Sequence, residues 1–208
     1  LTLLQLLLVA PSNLRGMQIP NLEAQASSRF GSLAVQTVLR WEAMIGTFAN
    51  ADTQKKLVAV NDFFNQNITY RWETEDYWST PLETMGRGIG DCEDYAIAKY
   101  ATLTLMGVPP SSLRLVYVKA KRGGLNQAHM VLAWYKSPTA VPLILDNLDY
   151  VIRPATERGD LQPVFSFNGE QLWVGTGPRA TNQRPTARLS RWGQVVEKIR
   201  QEGFTTGF

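Results

Sequence analysis

The stretch GRGIGDCEDYAIAKY, residues 86–100, holds the chain's single cysteine, Cys92, with Asp91 before it and Glu93 and Asp94 after it. A glycine-rich approach gives way there to helix formers. Asp91 suits an N-cap and Asp94 falls in the first turn. The pattern predicts a helix from about Asp91 to Met106, ended by Gly107 and the VPP that follows. At a helix N-terminus the dipole and free N–H groups favour a thiolate, and the same N–H groups suit a developing oxyanion. The acids act the other way. One carboxylate about 6 Å from a thiolate repels it by roughly 3 kcal/mol at an effective dielectric of about 20. The helix terminus returns only about 0.3–2 kcal/mol. No Lys or Arg stands three or four residues after any of the acids to pair with it on the helix. Two accounts of the acids stay open: plain helix capping, or a hard cation such as calcium held by oxygen ligands, backbone carbonyls of the glycine-rich approach among them.

Working outward, Val38, Trp41, Ile45 and Phe48 recur at helical steps within Leu33–Asn50. Asp52 reads as the N-cap of a second helix with Leu57, Val60, Phe63 and Phe64 on one side, and ITYRW (68–72) as a short extended piece. Beyond the cysteine lie three strand-like runs, 113–120, 127–135 and 141–146, with the short connections KRGGLN and KSPTA. They predict an antiparallel meander. PVFSFNGEQLWV (163–174) reads as a further hairpin, and LSRWGQVVEKIRQ (189–201) as a final helix capped by Ser190. Helices first and strands later predict an α+β fold.

The chain has 208 residues, 44% hydrophobic and 19% charged, enough for one substantial domain and too apolar for a wholly disordered chain. One cysteine excludes an internal disulfide and zinc sites built from paired cysteines. Net charge is +3, unevenly spread. From Gly177 onward Arg179, Arg184, Arg188, Arg191, Lys198 and Arg200 face only Glu197 and Glu202. The body offers no basic patch to extend this tail, so it reads as a solvated terminal segment and no nucleic-acid partner is expected. LTLLQLLLVA (1–10) is half the length of a bilayer span, which takes about 20 residues. It suits the apolar core of an export signal, with AQASS (24–28) as a candidate cleavage site; the other reading is a buried N-terminal helix or strand. The expected division is an apolar N-terminal segment (1–29), a core domain (30–176) and a basic tail with a C-terminal helix (177–208).

The chain also has a single histidine, His129, near the start of the second strand-like run, and Asp146 ends the third. A lone histidine is usually a packed or surface residue, and a lone cysteine a small buried hydrophobe. The layout gives them a second reading: a helix-borne Cys92 as nucleophile, a strand-borne His129 as base and Asp146 on the adjacent strand as orienter. Asn147 and Asp149 are rival orienters.

DYWSTPLETMGRGIGDCEDYAIAKY, LNQAHMVLAWY, PLILDNL and DLQPVFSFNG, which fall between residues 76 and 169, resemble the signature blocks of the bacterial transglutaminase-like cysteine proteinases, and the resemblance runs from about residue 30 to 175. The resemblance implies a papain-like, transglutaminase-type fold with Cys92, His129 and Asp146 as the catalytic triad. It implies calcium as cofactor, with Asp91 and Glu93 as ligands and Asp94 as a third. It further implies a periplasmic endopeptidase that cuts near the N-terminus of a large surface adhesin, at an Ala-Ala or Ala-Gly type of site. That cut would release the adhesin and disperse biofilm. An inner-membrane receptor that reads cyclic diguanylate would sequester the protease. Two other functions are compatible with the residues: acyl transfer by the same triad, as in transglutaminases, and a non-catalytic binding module of the same fold.

Overall fold

The structure, a computed structural model, describes residues 19–72 and 77–208. The apolar run at residues 1–10 lies outside them. Among the described residues no helix is long and apolar enough to cross a membrane.

The chain opens with helices α1 (Leu22–Phe30), α2 (Ser32–Phe48) and α3 (Thr53–Asn67), the last capped by Asp52, which accepts from the Lys55 N–H at 2.9 Å. Strand β1 (Thr69–Tyr70) then pairs in parallel with β2 (Ile89–Gly90). Between them the segment that leads into the glycine-rich approach is a helix, α4 (Pro81–Arg87), ended by Gly88 at φ 65°. Thr80 and Glu83 form a capping box at its start and Pro81 takes its first position. The approach does not leave its carbonyls idle, since those of Gly88 and Gly90 accept from the Thr69 and Arg71 N–H groups, each at 2.9 Å.

Helix α5 (Cys92–Leu105) follows at once, and every residue from Asp94 to Leu105 is buried. A helix apolar nearly all round belongs in the middle of a fold. Its neighbours are α3 and α4 on one side and the sheet on the other. The sheet is antiparallel throughout, in the order β6–β5–β4–β3–β7–β8. Its strands are β3 (Leu113–Arg122), β4 (Leu125–Trp134), β5 (Leu143–Leu145), β6 (Arg153–Pro154), β7 (Leu161–Phe167) and β8 (Leu172–Val174). Gly123 and Gly124, at φ 55° and 84°, make the two-residue turn from β3 to β4, where left-handed backbone suits the twist of a hairpin. Leu113, Leu115, Met130, Leu132 and Leu145 face the helices, while Val116, Val118, Val131 and Ile144 form a smaller apolar layer with Leu161 on the other face. This is the expected α+β architecture.

Three sequence expectations are corrected. Residues 22–29 are not a detached terminal segment: α1 buries Leu22 and Ala26, and Arg29 ion-pairs with Glu202 at 2.6 Å and Glu83 at 3.3 Å. The AQASS stretch lies within that helix, with Ala26 buried and Ala24, Ser27 and Ser28 exposed. Nor is the basic tail solvated along its whole length, although residues 177–179 and 182–184 are exposed. After the short α6 (Pro185–Arg188), helix α7 (Ser190–Gln201) buries Trp192, Val195, Val196 and Ile199 and keeps its charges on the opposite face. Finally, Ser190 is the first residue of α7 rather than its cap; Leu189 occupies that place with no side-chain hydrogen bond.

Candidate active site

Cys92 begins α5 at the floor of a cleft of about 460 Å³, with Asp91 and Glu93 beside it. Trp72, Trp78, Tyr117 and Phe165 supply aromatic walls, and Arg188 to Arg191 close one side. The α5 start is set by a reciprocal cap between Asp91 and Asp94. Asp94 is fully buried; its Oδ1 accepts from the Ser79 N–H at 2.7 Å and its Oδ2 from the Asp91 N–H at 3.3 Å. Gly90 is required here. A Cβ on it would lie 2.8 Å from the Asp94 Cβ and 2.9 Å from Oδ2.

Cys92 is 4% exposed, and its thiol donates to Glu93 Oε2 at 2.8 Å. Burial first, then the charge and hydrogen bond of Glu93 and the charge of Asp91, push the thiol well above its ordinary pKa. The backbone N–H of Met130 opposes them by donating to the sulfur. Helix α5 packs against β4, where Met130 follows His129. Pairing of β5 with β4 ends at Leu145 opposite Leu132, so this part of β4 lies beyond the end of β5.

His129 and Asp146 are both buried, and His129 Nε2 stands 2.8 Å from Asp146 Oδ1. Burial would raise the Asp146 carboxyl, but its bonds to His129, the Leu148 N–H and Arg158 outweigh this and hold it at about 2. An ionised carboxylate can only accept, so Nε2–H donates and Nδ1 carries the acceptor lone pair of the ring. Arg158 Nη2 donates to Asp146 Oδ2 at 2.8 Å and is itself gripped by Asp160 at 2.8 Å. The rival orienters are elsewhere engaged or silent. Asp149 pairs with Arg153 at 2.8 Å, and neither polar side-chain atom of Asn147 has a partner among the described residues.

The sequence brought Cys92, His129, Asp146, Asp91 and Glu93 to notice; the fold pairs His129 with Asp146 and sets Asp91, Cys92 and Glu93 together in the cleft. It did not single out Arg158 or the buried Lys99, which sits behind Asp146. Lys99 did leave a signal: it is the one cation inside the apolar run AIAKYATL. Arg158 left none. For a hard cation, the carboxylates of Asp91 and Glu93 in the cleft are suitable oxygen donors. Asp94 serves the helix cap, and among the described residues no cluster of three or more His, Cys, Asp or Glu is arranged to hold a metal.

Residues 39–160 match the family model of the bacterial transglutaminase-like cysteine proteinase BTLCP. The structure is similar to LapG from Legionella pneumophila, at 36% sequence identity and a TM-score of 0.76, covering 86% of this chain and 96% of that one. A calcium-bound form of the Legionella protein superposes with a TM-score of 0.77, as does an EGTA-treated form. No curated protein matches the chain.

Proposed function

Because the chain belongs to the bacterial transglutaminase-like cysteine proteinase family, and so is a cysteine protease, we propose that its catalytic triad is Cys92, His129 and Asp146. The observation that carries this reading is the buried 2.8 Å bond from His129 Nε2 to an ionised Asp146, one residue along β4 from the N–H that meets Cys92 Sγ. Nδ1 of His129 takes the thiol proton, and the sulfur attacks the scissile carbonyl. Backbone N–H groups of the first turn of α5 stabilise the oxyanion. As the tetrahedral adduct collapses, the imidazolium gives its proton to the departing amine and an acyl-thioester remains. Water, deprotonated by the same imidazole, then hydrolyses the thioester and restores the thiol.

Calcium is the proposed cofactor, as in the calcium-bound Legionella relative. Asp91 and Glu93 would hold it, and it would supply positive charge beside the sulfur, against which these acids otherwise act. The substrate we propose is the N-terminal region of a large surface adhesin, cut at an Ala-Ala or Ala-Gly type of site. A nucleophile residue only 4% exposed favours small side chains on either side of the scissile bond. Release of the adhesin would disperse biofilm, and the enzyme would act in the periplasm under an inner-membrane receptor that reads cyclic diguanylate.

The test is incubation of the purified protein with the N-terminal region of a large adhesin from the same bacterium, in calcium or in EGTA. A single cut between small residues, in calcium only, is the expected result. Absence of any cut would overturn the substrate, and equal cutting in EGTA would overturn the cofactor. Retained cleavage by Cys92→Ala would overturn the nucleophile.

A further inference from the structure

Lys99 is 1% exposed, two turns along α5 from Cys92, in the most buried helix of the molecule. Its Nζ meets three oxygens: Asn61 Oδ1 at 2.9 Å, Asn65 Oδ1 at 2.8 Å and the main-chain carbonyl of Asp146 at 3.0 Å. The orientation of both amides is fixed by their other ends. Asn61 Nδ2 donates to the Tyr150 carbonyl at 2.8 Å, and Asn65 Nδ2 donates to the same Asp146 carbonyl at 2.9 Å. Nζ is therefore surrounded by acceptors alone. An ammonium has three N–H groups and satisfies all three; a neutral amine has two and leaves one buried acceptor unmet.

We propose that Lys99 is a positioning residue for the catalytic acid: its ammonium ties α5 and α3 to the backbone of Asp146, and so fixes the carboxylate that orients His129. The inference rests on the triad assigned above. Two cations then hold Asp146 from different sides. Arg158 grips the carboxylate and Lys99 the main chain, which leaves Oδ1 aimed at His129. The helix that carries the nucleophile thereby sets the position of the residue that orients the base.

The charged groups facing Nζ are Asp146, from the segment after β5, and Asp62, from α3; the Tyr95 ring of its own helix lies 5.7 Å away. Burial lowers the Lys99 pKa to about 7, while Asp146 and Asp62 resist the shift. The tether consequently weakens as pH rises through the range in which Lys99 gives up its proton, and the His129–Asp146 bond weakens with it.

His129 is the only histidine in the chain, so its ring resonances are assigned without ambiguity. The experiment follows the Nε2–H signal of ¹⁵N-labelled protein from pH 5.5 to 9.5, and kcat and KM on the adhesin region over the same range. The proteins are the wild type, Lys99→Met and Asn61→Asp. In the wild type, the Nε2–H signal and kcat should fall together on the alkaline side. Asn61→Asp sets a carboxylate against the ammonium and should move that fall upward by about one pH unit. Lys99→Met should weaken the Nε2–H signal at every pH and lower kcat about tenfold, with KM nearly unchanged. A Lys99→Met protein that is merely less stable, with wild-type His129 signals and a wild-type kcat profile, would overturn the proposal. So would an Asn61→Asp protein whose alkaline fall does not move, and that variant decides alone if Lys99→Met does not fold. The spectra are read without substrate, so a wrong substrate leaves this test intact.

Discussion

At the residue scale, the two single-copy residues were the most legible part of the site, because one cysteine and one histidine leave few constellations to consider. Asp146 was legible from its place at a strand end. Arg158, Lys99 and Asn65 were not, since their contacts to it span 12, 47 and 81 residues of chain. The acids around Cys92 resolve into two jobs: Asp94 builds the helix cap, whereas Glu93 accepts the hydrogen bond that the Cys92 thiol donates. Glu93→Gln keeps an acceptor and removes a charge. Alkylation of Cys92 by iodoacetamide in EGTA should then rise by about tenfold, the equivalent of about 1.4 kcal/mol of lost repulsion. An unchanged rate would assign the raised thiol pKa to burial and Asp91 rather than to Glu93. Asp146 yields a second prediction. Its pKa is depressed from 3.8 to about 2, so its contribution is complete above 3.8 and is lost as pH falls towards 2. That contribution is on the order of 2 kcal/mol. Asp146→Asn should therefore melt well below the wild type at pH 6, and the gap should narrow by pH 2.5. A gap that stays constant with pH would show that the charge is not what stabilises.

At the element scale, the long periodic helices and the meander were legible because each satisfies its own pattern: α2 and α3 at steps of three and four, β3 and β4 as apolar runs around a Gly-Gly turn. α4 was missed because three glycines in GRGIG, read together with the TPLETM before them, suggested an irregular approach. Its signature was nevertheless local. Thr80, Pro81 and Glu83 spell a capping box with proline at the first helical position. Thr80 does more than cap. Its hydroxyl accepts from the Glu83 N–H at 3.1 Å and donates to Glu202 Oε1 at 2.8 Å, so α4 is joined to the end of α7. Thr80→Ala should cost about 1–2 kcal/mol in thermal or urea unfolding, and Thr80→Ser should recover most of it. A loss equal in both variants would point to the methyl group and its packing instead.

At the scale of the whole molecule, the ends of the described chain close on each other and on the helix that bears the nucleophile. Arg29 of α1 reaches Glu202, and Tyr100 of α5 donates to the Gly207 carbonyl at 2.6 Å. Trp192 of α7 is fully buried, with its ring centroid 5.1 Å from that of Phe167, 5.8 Å from Phe208 and 6.2 Å from Tyr100. The turn just before it, from Arg188 to Arg191, forms a wall of the cleft. Of the basic residues that read as a solvated tail, Arg191, Lys198 and Arg200 thus belong to a helix whose other face is core. Charge count alone could not separate these, because an amphipathic terminal helix and a solvated one share a composition and differ only in what covers the apolar stripe. Trp192→Ala should cost about 3–5 kcal/mol, the range for truncating a large buried aromatic side chain. It should also loosen the wall at Leu189 while leaving Cys92, His129 and Asp146 in place. Below its lowered melting temperature, the variant should cleave the adhesin region with a raised KM and a kcat close to that of the wild type. A kcat that collapses while KM holds would mean that α7 supports the triad rather than the cleft wall. An unchanged melting temperature would mean that the tail is dispensable to the fold after all.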